Sequence, residues 1–495
     1  MGRLRWWHGA TAIALVAFLA RLLPVLSSGG LQAIHHYDAS VYFGSAVALL
    51  HGRLPYRDYL MLHPPGITVA LIPFAGLTFL VGDAHAVAVA RLAWMGLGAV
   101  NALLVGRILV PVGRWPAACA ALLYAFSYPA VTIEQATRLE GLAAACLLGA
   151  LALLSRGRSS ADLTTRSVVI AGALLGFSMS TKVWGVVPFV VVALYLLGTA
   201  GLRRAALLTL GAAVSGSVVC LPFLLAAPAL MWRYVVTDQL GRGTSSASVS
   251  TRLVDITGMG VSVDLVEPFT KAALVVAAAG LVVGAVLAWR VVEARLSVLL
   301  LPPLVLMLLA TPSWFPHYAG LTAGPLAVLA GAAVSTLPDL AGRAGRLLRV
   351  LGTAALAAVL LGTALQLRDA QFGRRFEAQQ VRDVVAALPG CVTADDPSTL
   401  LALNVLSRNL RRGCPLLLDL GGYTYDLNRP GQPRLRRERD PRWQRLALDH
   451  LSSGSATMVT RYSTSFGFSK STSTTIKSWP VLGTAGKYKL RRPSG

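Results

Sequence analysis

The stretch that decides the fold runs from His35 to Gly66 and reads HHYDASVYFGSAVALLHGRLPYRDYLMLHPPG. It follows the first long apolar run of the chain and contains four His, two Asp, two Arg and four Tyr. Placing a single Asp or Arg at the centre of a bilayer costs about 3 kcal/mol or more. This stretch therefore lies outside the hydrocarbon core, next to a segment that is apolar enough to cross it.

The chain as a whole is apolar. Of its 495 residues, 55% are hydrophobic and only 14% are charged, whereas a soluble domain carries about 25% charged residues. Apolar runs of about 18 residues or more, the length that spans a bilayer, recur between Ala10 and Leu365. This composition predicts an α-helical polytopic membrane protein. No small-residue cleavage motif follows the basic opening MGRLRWWHGA, so we expect an uncleaved first span.

About eleven transmembrane helices are expected from these runs. The predicted spans lie near residues 10–27, 86–109, 115–133, 139–155, 167–181, 183–200, 204–226, 270–290, 295–311, 318–338 and 346–366.

The distribution of basic residues predicts the orientation. Basic loops alternate with mixed ones along the chain, and basic loops face the cytoplasm. The N-terminus is then cytoplasmic, and residues 28–85 form a large outer loop. The apolar segment 66–82 would break the alternation if it spanned, so we predict a helix in the outer interface. The odd number of spans places residues 367–495 outside as well.

The tail after residue 366 changes composition and predicts a small extracytoplasmic α/β domain, residues 367–495, attached to a membrane catalytic domain, residues 1–366. Cys391 and Cys414 lie in this tail, where an oxidising compartment would favour a disulfide; two buried thiols are the alternative, and both interpretations stand. The expected elements are strands at 416–427, 455–463 and 487–493, helices at 377–390 and 398–410, and a loop at 465–478.

The net charge of +23 does not predict nucleic-acid binding. Much of the Arg lies in short loops, where it orients helices. The remainder is spread over the tail and favours contact with membrane lipids or an anionic ligand.

Asp38 is the first candidate functional residue. It lies at the start of a segment whose small and apolar residues recur at helical spacing. A carboxylate there could simply stabilise the helix N-terminus by about 1 kcal/mol. His35 and His36 could join Asp38 as metal ligands, but adjacent His side chains in a loop point apart. We therefore predict no metal site and no required cofactor, while the help of a divalent ion stays open.

The order of Tyr-Asp, Val-Tyr, Pro-Tyr, Asp-Tyr and His-Pro-Pro-Gly over about thirty residues resembles the first outer loop of a known family. This is the GT-C superfamily of polyprenyl-phosphate-sugar-dependent glycosyltransferases, in the branch with protein O-mannosyltransferases and aminoarabinose lipid A transferases. The motif TRLEGL at 137–142 is also similar. The chain departs from the family at Tyr37, where relatives often have a second acid, and at His63, where they often have Lys.

The resemblance implies roles for particular residues. Asp38 resembles the family's catalytic base, which takes the proton of the acceptor hydroxyl. Cations at outer helix ends would stabilise the departing lipid phosphate. The donor-binding candidates are His63, Arg138, Lys182, His317 and Tyr318. The residues ranked second, for the acceptor or for supporting contacts, are Glu140, Tyr42, Arg57 and Asp58.

Each of these residues also has a plainer interpretation. Lys182 could extend its charge to the interface, and Tyr318 could belong to an interfacial aromatic belt. Arg57 and Asp58 could pair with each other. Arg138 and Glu140 could do the same, or Glu140 could orient the acceptor.

The sequence thus predicts a plasma-membrane hexosyl- or pentosyltransferase. It would move a sugar from a polyprenyl-phosphate donor to a hydroxyl of a cell-envelope glycan, lipid or protein at the outer face. The high share of Ala, Leu, Val, Arg and Gly is typical of GC-rich actinobacteria, where the sugar would be mannose or arabinose. A flippase for lipid-linked sugars would instead require charges at the bilayer midplane and paired broken helices. An envelope-assembly scaffold would tolerate replacement of Asp38.

Overall fold

The computed structural model describes residues 2–34, 37–155, 163–243, 247–258, 267–337, 342–428, 435–462 and 467–494. Helices dominate it, because a helix satisfies every backbone N–H and C=O within the segment, as a bilayer requires. The helices of the first half are α1 (Gly2–Ser27), α2 (Tyr37–Leu50), α3 (Gly66–Gly76), α4 (Thr78–Val81), α5 (Asp83–Leu109), α6 (Arg114–Phe126), α7 (Tyr128–Glu134), α8 (Leu139–Leu154), α9 (Thr165–Thr181), α10 (Val186–Ala200), α11 (Leu202–Ala226) and α12 (Pro228–Trp232).

The second half adds further helices and the only strands among the described residues. Its helices are α13 (Asp238–Leu240), α14 (Val249–Thr257), α15 (Glu267–Trp289), α16 (Arg295–Ala310), α17 (Gly320–Thr336), α18 (Gly342–Asp369), α19 (Gln379–Ala387), α20 (Pro397–Ala402), α21 (Leu406–Arg411), α22 (Tyr423–Leu427), α23 (Pro441–Ser452) and α24 (Lys470–Ser478). The strands are β1 (Val392–Ala394), β2 (Ala456–Met458), β3 (Val481–Ala485) and β4 (Tyr488–Arg491).

The predicted spans all coincide with helices, but fewer than eleven of these helices are long and apolar enough to cross a membrane by themselves. Among the described residues, 8 helices are long and apolar enough to cross a membrane, or up to 9 if α6 and α7 count as one span bent by 62°. Pro129 lies in the first turn of α7, where it has no N–H to donate to the carbonyl of Ala125 and its ring would crowd that carbonyl. The helix therefore breaks at Ser127, where ψ is 115°. The chain is a multi-pass membrane protein; the count of eleven stays a prediction.

The chain divides into two compact units. Unit 1 comprises Met1–Pro24, Leu92–Val219 and Thr244–Ala370, and unit 2 comprises Val25–Arg91, Cys220–Gly243 and Gln371–Gly495. The predicted outer loop therefore shares a unit with the tail. The division of the chain at residue 366 into a membrane domain and an outer domain stays a prediction.

Close helix packing in unit 1 depends on small residues. Gly172 and Gly176 lie one turn apart on α9, facing Leu208 and Ala212 of α11. A Cβ on either glycine would collide with the carbonyl oxygen of the facing residue. Small residues at this spacing let helix backbones approach closely in a membrane.

Unit 1 also contains an ion pair that sequence reasoning missed. Arg21 of α1 and Glu134 of α7 are both fully buried and lie 2.5 Å apart. Glu134 also accepts hydrogen bonds from Tyr124 Oη and Asn101 Nδ2, each at 2.6 Å. Gly98 leaves room for the guanidinium, since a Cβ there would overlap Arg21. The pair joins several helices and satisfies its own charges, so we assign it a structural role.

Unit 2 contains the predicted α/β fold as a four-stranded sheet in the order β1-β2-β4-β3. β1 is parallel to β2, while β4 is antiparallel to both β2 and β3. A parallel pair needs a crossover connection, and α23 lies in the chain between β1 and β2. The strands predicted at 455–463 and 487–493 are confirmed as β2 and β4.

Two predictions for the tail are wrong. Residues 416–427 form no strand, because Asp419 turns the chain by accepting a hydrogen bond from the N–H of Gly422, and helix α22 follows. The described part of the predicted loop 465–478 contains helix α24. Ser469 caps this helix by accepting from the N–H of Thr472, and Ile476 is buried. The Ser/Thr-rich composition of residues 465–478 had predicted a loop, because it gives no obvious sign of the Ser469 cap or of the buried Ile476.

A disulfide joins Cys391 to Cys414, so the thiol alternative is excluded. It closes a loop of 23 residues that contains β1, α20 and α21. We expect Cys391→Ser/Cys414→Ser to lower the free energy of unfolding of unit 2 by about 3 kcal/mol. Without the cross-link, the unfolded chain gains conformational entropy, which favours unfolding. Thermal unfolding of the purified full chain measures this loss. A reductant should reproduce the loss in the wild type and add nothing in the variant. An equal response of both proteins to the reductant would contradict the prediction.

Candidate active site

Asp38 lies in the first turn of α2, a helix of unit 2 that is mostly buried. The ten residues Ala39–Ala48 are all buried, so protein covers every side of the helix. α2 packs on α3, α20 and α21, and Gly44 admits the side chains of Leu406 and Leu418. Asp38, in the first turn, is exposed. A helix N-terminus stabilises a carboxylate at this position, and its exposure leaves it available to a substrate.

The residue before Asp38 anchors the start of the helix. Tyr37 is buried, and its hydroxyl donates to Asp419 Oδ1 at 2.9 Å. The same hydroxyl accepts from the N–H of Gly421 at 2.7 Å, and Asp419 Oδ1 accepts from the N–H of Gly422 at 2.6 Å. These bonds fix the first turn of α2 to the tail segment 419–422. The position of Asp38 is therefore determined by residues more than 380 positions away.

A second segment of the tail supplies an acid and a cation. Asp396 caps α20 by accepting from the N–H of Ser398 at 2.8 Å. Asp395 is buried and accepts from the N–H groups of Thr460, Arg461 and Tyr462 at 2.7–2.9 Å. These hydrogen bonds position the Arg461 guanidinium over the Tyr37 ring, with its Cζ 4.4 Å from the ring centroid. Arg461 Nη1 lies 3.9 Å from Asp396 Oδ2.

The electrostatics link Asp38 to these two segments. Burial raises the pKa of Asp396, and the charge of Asp38 raises it further, against the lowering effect of Arg461. Burial likewise raises the pKa of Asp419, and Asp38 again adds to the rise. Burial raises the pKa of Asp395 to about 6, although three N–H groups stabilise its charge. Asp38 is thus the exposed member of an acidic group that includes buried Asp396 and half-buried Asp419.

Sequence reasoning missed Tyr37, Asp396, Asp419 and Arg461. One local signal was present, because Asp396 precedes Pro397 and this pair is typical of a helix start. Nothing local connects these tail residues with α2.

Tyr37→Phe tests the anchor. The change leaves the N–H of Gly421 and the half-buried Asp419 carboxylate each short of one partner. This should cost about 1–3 kcal/mol in stability. We expect any activity that depends on Asp38 to fall as well, because the first turn of α2 loses its attachment. The control is Tyr425→Phe, since the Tyr425 hydroxyl makes no hydrogen bond among the described residues and its ring stacks under Arg242. Equal melting temperatures and rates for the two variants would contradict the assigned role.

His63 and Tyr42, both predicted candidates, lie together in unit 2. Their rings meet edge to face, with centroids 5.7 Å apart. The His63 carbonyl accepts from the Tyr56 hydroxyl at 2.7 Å. Tyr56 is buried at φ 69°, a backbone conformation that bulky residues rarely adopt. The His-Pro-Pro-Gly turn is therefore held in a fixed shape rather than serving only as a helix start.

Arg57 and Asp58 pair with each other at 2.9 Å on the surface of unit 2. The Arg57 hydrogen bond lowers the pKa of Asp58, and the N–H of Leu54 contributes to the same effect. This pair accounts for both side chains locally and gives no sign of a substrate role.

Four of the predicted residues come together in unit 1. Lys182, at the end of α9, donates to Glu140 Oε1 of α8 at 2.5 Å. His317 Nε2 lies 3.7 Å from the same oxygen. The Lys182 ammonium lies 4.1 Å from the ring centroids of both Tyr318 and Trp184. Only 4% of Lys182 is exposed, so its charge is held inside the protein and does not extend to an interface.

Arg138 is at the N-terminal boundary of the same helix, α8. Its carbonyl accepts from the indole N–H of Trp94 at 3.1 Å, and the residue is half-buried. With Lys182, His317 and Glu140, it gives this part of unit 1 two fixed cations, one titratable base and one anion. Glu140 neutralises the charge of Lys182, with which it pairs. The net positive charge available to an anion therefore comes from Arg138, and from His317 when it is protonated.

Within the parts of the chain that the structure describes, no three His, Cys, Asp or Glu side chains are grouped so as to hold a metal. His35 and His36, the weighed metal ligands, lie outside the described residues.

Solved structures of other proteins are similar to this chain in fold, although their sequences are not. No protein-family model matches the sequence, and no curated protein is significantly similar to it. ArnT from Cupriavidus metallidurans in the apo state superposes with a TM-score of 0.61 at 14% identity, over 99% of this chain and 98% of that chain. The same protein bound to undecaprenyl phosphate gives 0.58 at 15% identity, over 98% and 97%.

The oligosaccharyltransferase AglB from Archaeoglobus fulgidus, in complex with an inhibitory peptide and a dolichol-phosphate, is also similar. It superposes with a TM-score of 0.54 at 12% identity, over 92% of this chain and 69% of that chain. These likenesses run through nearly the whole chain and include both units. The fold expected from the first outer loop is therefore confirmed: the chain has the GT-C fold, which it shares with ArnT and AglB.

Proposed function

We propose that this protein is a membrane glycosyltransferase that transfers a sugar from a polyprenyl-phosphate carrier to a hydroxyl acceptor. The observation that carries the proposal is Asp38, the exposed carboxylate at the start of a buried, anchored helix in a chain with the GT-C fold. ArnT and AglB, which share the fold, bind undecaprenyl phosphate and dolichol-phosphate respectively. A carrier of this kind stays in the bilayer, so its sugar reacts at the membrane surface.

In this reaction the acceptor oxygen attacks the anomeric carbon while the bond from that carbon to the phosphate oxygen breaks. The proton of the acceptor hydroxyl passes to Asp38 as general base, and the polyprenyl phosphate leaves with the bonding electrons. Attack opposite the leaving phosphate inverts the anomeric carbon. The acceptor needs no prior activation, because the phosphate is both the carrier of the sugar and its leaving group.

The donor phosphate carries negative charge that grows as the bond breaks, so fixed cations would stabilise it. We assign this role to Arg138, Lys182 and His317 of unit 1, with Tyr318 at the donor. His63 of unit 2 stays a donor-contact candidate on the strength of the sequence. Support comes from the rigid placement of Lys182, between two aromatic rings and against Glu140. Glu140 then acts as a positioning residue, and Tyr42 supports His63.

The finer features belong to the same proposal. They are eleven spans, a cytoplasmic N-terminus, an outer location for residues 28–85 and for the tail, and a plasma-membrane setting. The sugar is a hexose or pentose, with mannose and arabinose favoured by composition. The acceptor is an envelope glycan, lipid or protein.

The flippase alternative has less support. It requires paired broken helices, and the described residues contain one bent pair, α6 and α7. It also requires charges that a substrate can reach in the bilayer interior. Arg21 and Glu134 do lie inside the helix bundle, but both are fully buried and paired with each other.

The side on which the donor accumulates separates these functions. In a strain lacking this gene, a transferase predicts that polyprenyl-phosphate sugar accumulates where periodate, which does not cross membranes, can oxidise it from outside. A flippase predicts accumulation that is protected in intact cells and oxidised only after lysis. A scaffold predicts no accumulation. Restoration by the wild-type gene is the control, and either of the last two results would contradict the proposal.

A further inference from the structure

A large basic cavity lies in unit 2. Its volume is about 900 Å³, near the upper end of the range of about 300–1,000 Å³ for ligand pockets. Its walls come from β2, the β3–β4 hairpin, α24 and the segment after β2. Seven basic side chains line it, against the single carboxylate of Asp396. Six of the seven are Arg374, Arg461, Lys477, Lys487, Lys489 and Arg491.

The positive charge of the cavity is almost uncompensated. Among the described residues, Arg461 is the one cation of the seven that lies within 4.0 Å of a carboxylate, at 3.9 Å from Asp396. Arg491 donates to the carbonyls of Lys477 and Trp479, which position the guanidinium without cancelling its charge. Concave walls of one sign concentrate the field and attract ions of the opposite sign.

The fold aims these cations at the cavity. Along β4 the side chains alternate, so Tyr488 and Leu490 are buried while Lys489 and Arg491 share the other face. Lys477 joins them from the last turn of α24. A solvated basic face would account for these charges alone, but it would not account for what lies between them.

Aromatic rings accompany the cations. Tyr462 and Phe468 line the cavity. Arg437, the seventh cation, lies 5.2 Å from the centroid of the Tyr462 ring. Cations for acid groups and rings for the apolar faces of sugar units together match an anionic carbohydrate. A lipid surface is flat and would not enter a concave site.

The cavity also adjoins the candidate base. Asp396 and Arg461 line it, and Arg461 lies over the ring of Tyr37, the residue before Asp38. We propose that the cavity binds an anionic glycan, with carboxylate or phosphodiester groups, and that this glycan is the acceptor. The inference rests on the proposed function and names its acceptor class.

Binding to the full-length protein in nanodiscs of neutral lipid tests the inference without any transfer reaction. The probes are an oligogalacturonate, a glycerol-phosphate teichoic acid oligomer and a neutral dextran oligosaccharide of matched length, measured by calorimetry. The test variant is Lys477→Gln/Lys487→Gln/Lys489→Gln. The matched control is Arg436→Gln/Arg439→Gln/Arg445→Gln, which removes the same charge from exposed positions of unit 2 outside the cavity.

We expect the wild type to bind at least one anionic oligosaccharide and not dextran. The cavity variant should weaken that affinity about tenfold or more, and the control less than about twofold. Equal weakening by both variants would reduce the effect to general charge attraction and overturn the inference. So would binding to phosphatidylglycerol vesicles in place of the oligosaccharides. Because no sugar is transferred, binding without activity would count against the proposed function alone.

Discussion

Asp38→Asn is expected to lower the rate of sugar transfer by about 10²- to 10⁴-fold, the usual contribution of a general base. The amide keeps the size of the side chain but cannot take the acceptor proton. Expression and folding should be preserved, because Asp38 is exposed and a first-turn charge contributes only about 0.3–1 kcal/mol. Membranes supplied with radiolabelled polyprenyl-phosphate sugar and envelope acceptor provide the measurement.

The matched control for this change is Asp449→Asn, an exposed aspartate on α23. It should leave the rate unchanged. Burial raises the pKa values of Asp396 and Asp419, and the charge of Asp38 raises them further. Removing that charge takes away its repulsion of these two carboxylates, so unit 2 should not become less stable. Full transfer by the Asp38 variant would remove this residue from the mechanism and leave it a helix-stabilising carboxylate.

The Lys182–Glu140 pair gives the second large effect. Lys182→Met and Glu140→Gln should each lower stability by about 3–5 kcal/mol, because each leaves one buried charge without its partner. The double variant should regain most of that stability, since no unpaired charge remains. If Lys182 contacts the donor, the double variant should still lose about 10²-fold or more in kcat/KM for the donor.

Stability and activity thus separate a structural from a functional role for this pair. Unfolding of the purified proteins and donor kinetics should be measured for the wild type, both single variants and the double variant. Wild-type kinetics in a stable double variant would leave Lys182 with packing against Trp184 and Tyr318 alone. The matched control is Lys271→Met, an exposed lysine on α15, which should change neither quantity.

Much of this fold was predictable because the responsible signals are local. A run of apolar residues predicts a membrane helix wherever it occurs, and each predicted span coincides with a helix. The disulfide was also within reach, since the tail offers one pair of cysteines. The tail errors at 416–427 and 467–478 arose where one side-chain hydrogen bond, from Asp419 or Ser469, decides the backbone conformation.

The candidate site was only half predictable. The residues of the first loop carry a recognisable pattern, and Lys182 and Glu140 were identified as ionisable groups at helix ends. Their pairing, and the bond between Tyr37 and Asp419, depend on contacts between residues far apart in sequence. A single sequence contains no signal for such contacts, because the local environment of each partner looks ordinary.

Transfer by the purified protein tests the central claim most directly. The full chain, reconstituted in liposomes, is given polyprenyl phosphate carrying radiolabelled mannose or arabinose, with envelope glycan as acceptor. The account predicts that label moves from the lipid to the glycan and that one polyprenyl phosphate is released per sugar transferred. Label that stays on the lipid for both sugars, or that is transferred equally well from a nucleotide sugar, would contradict it.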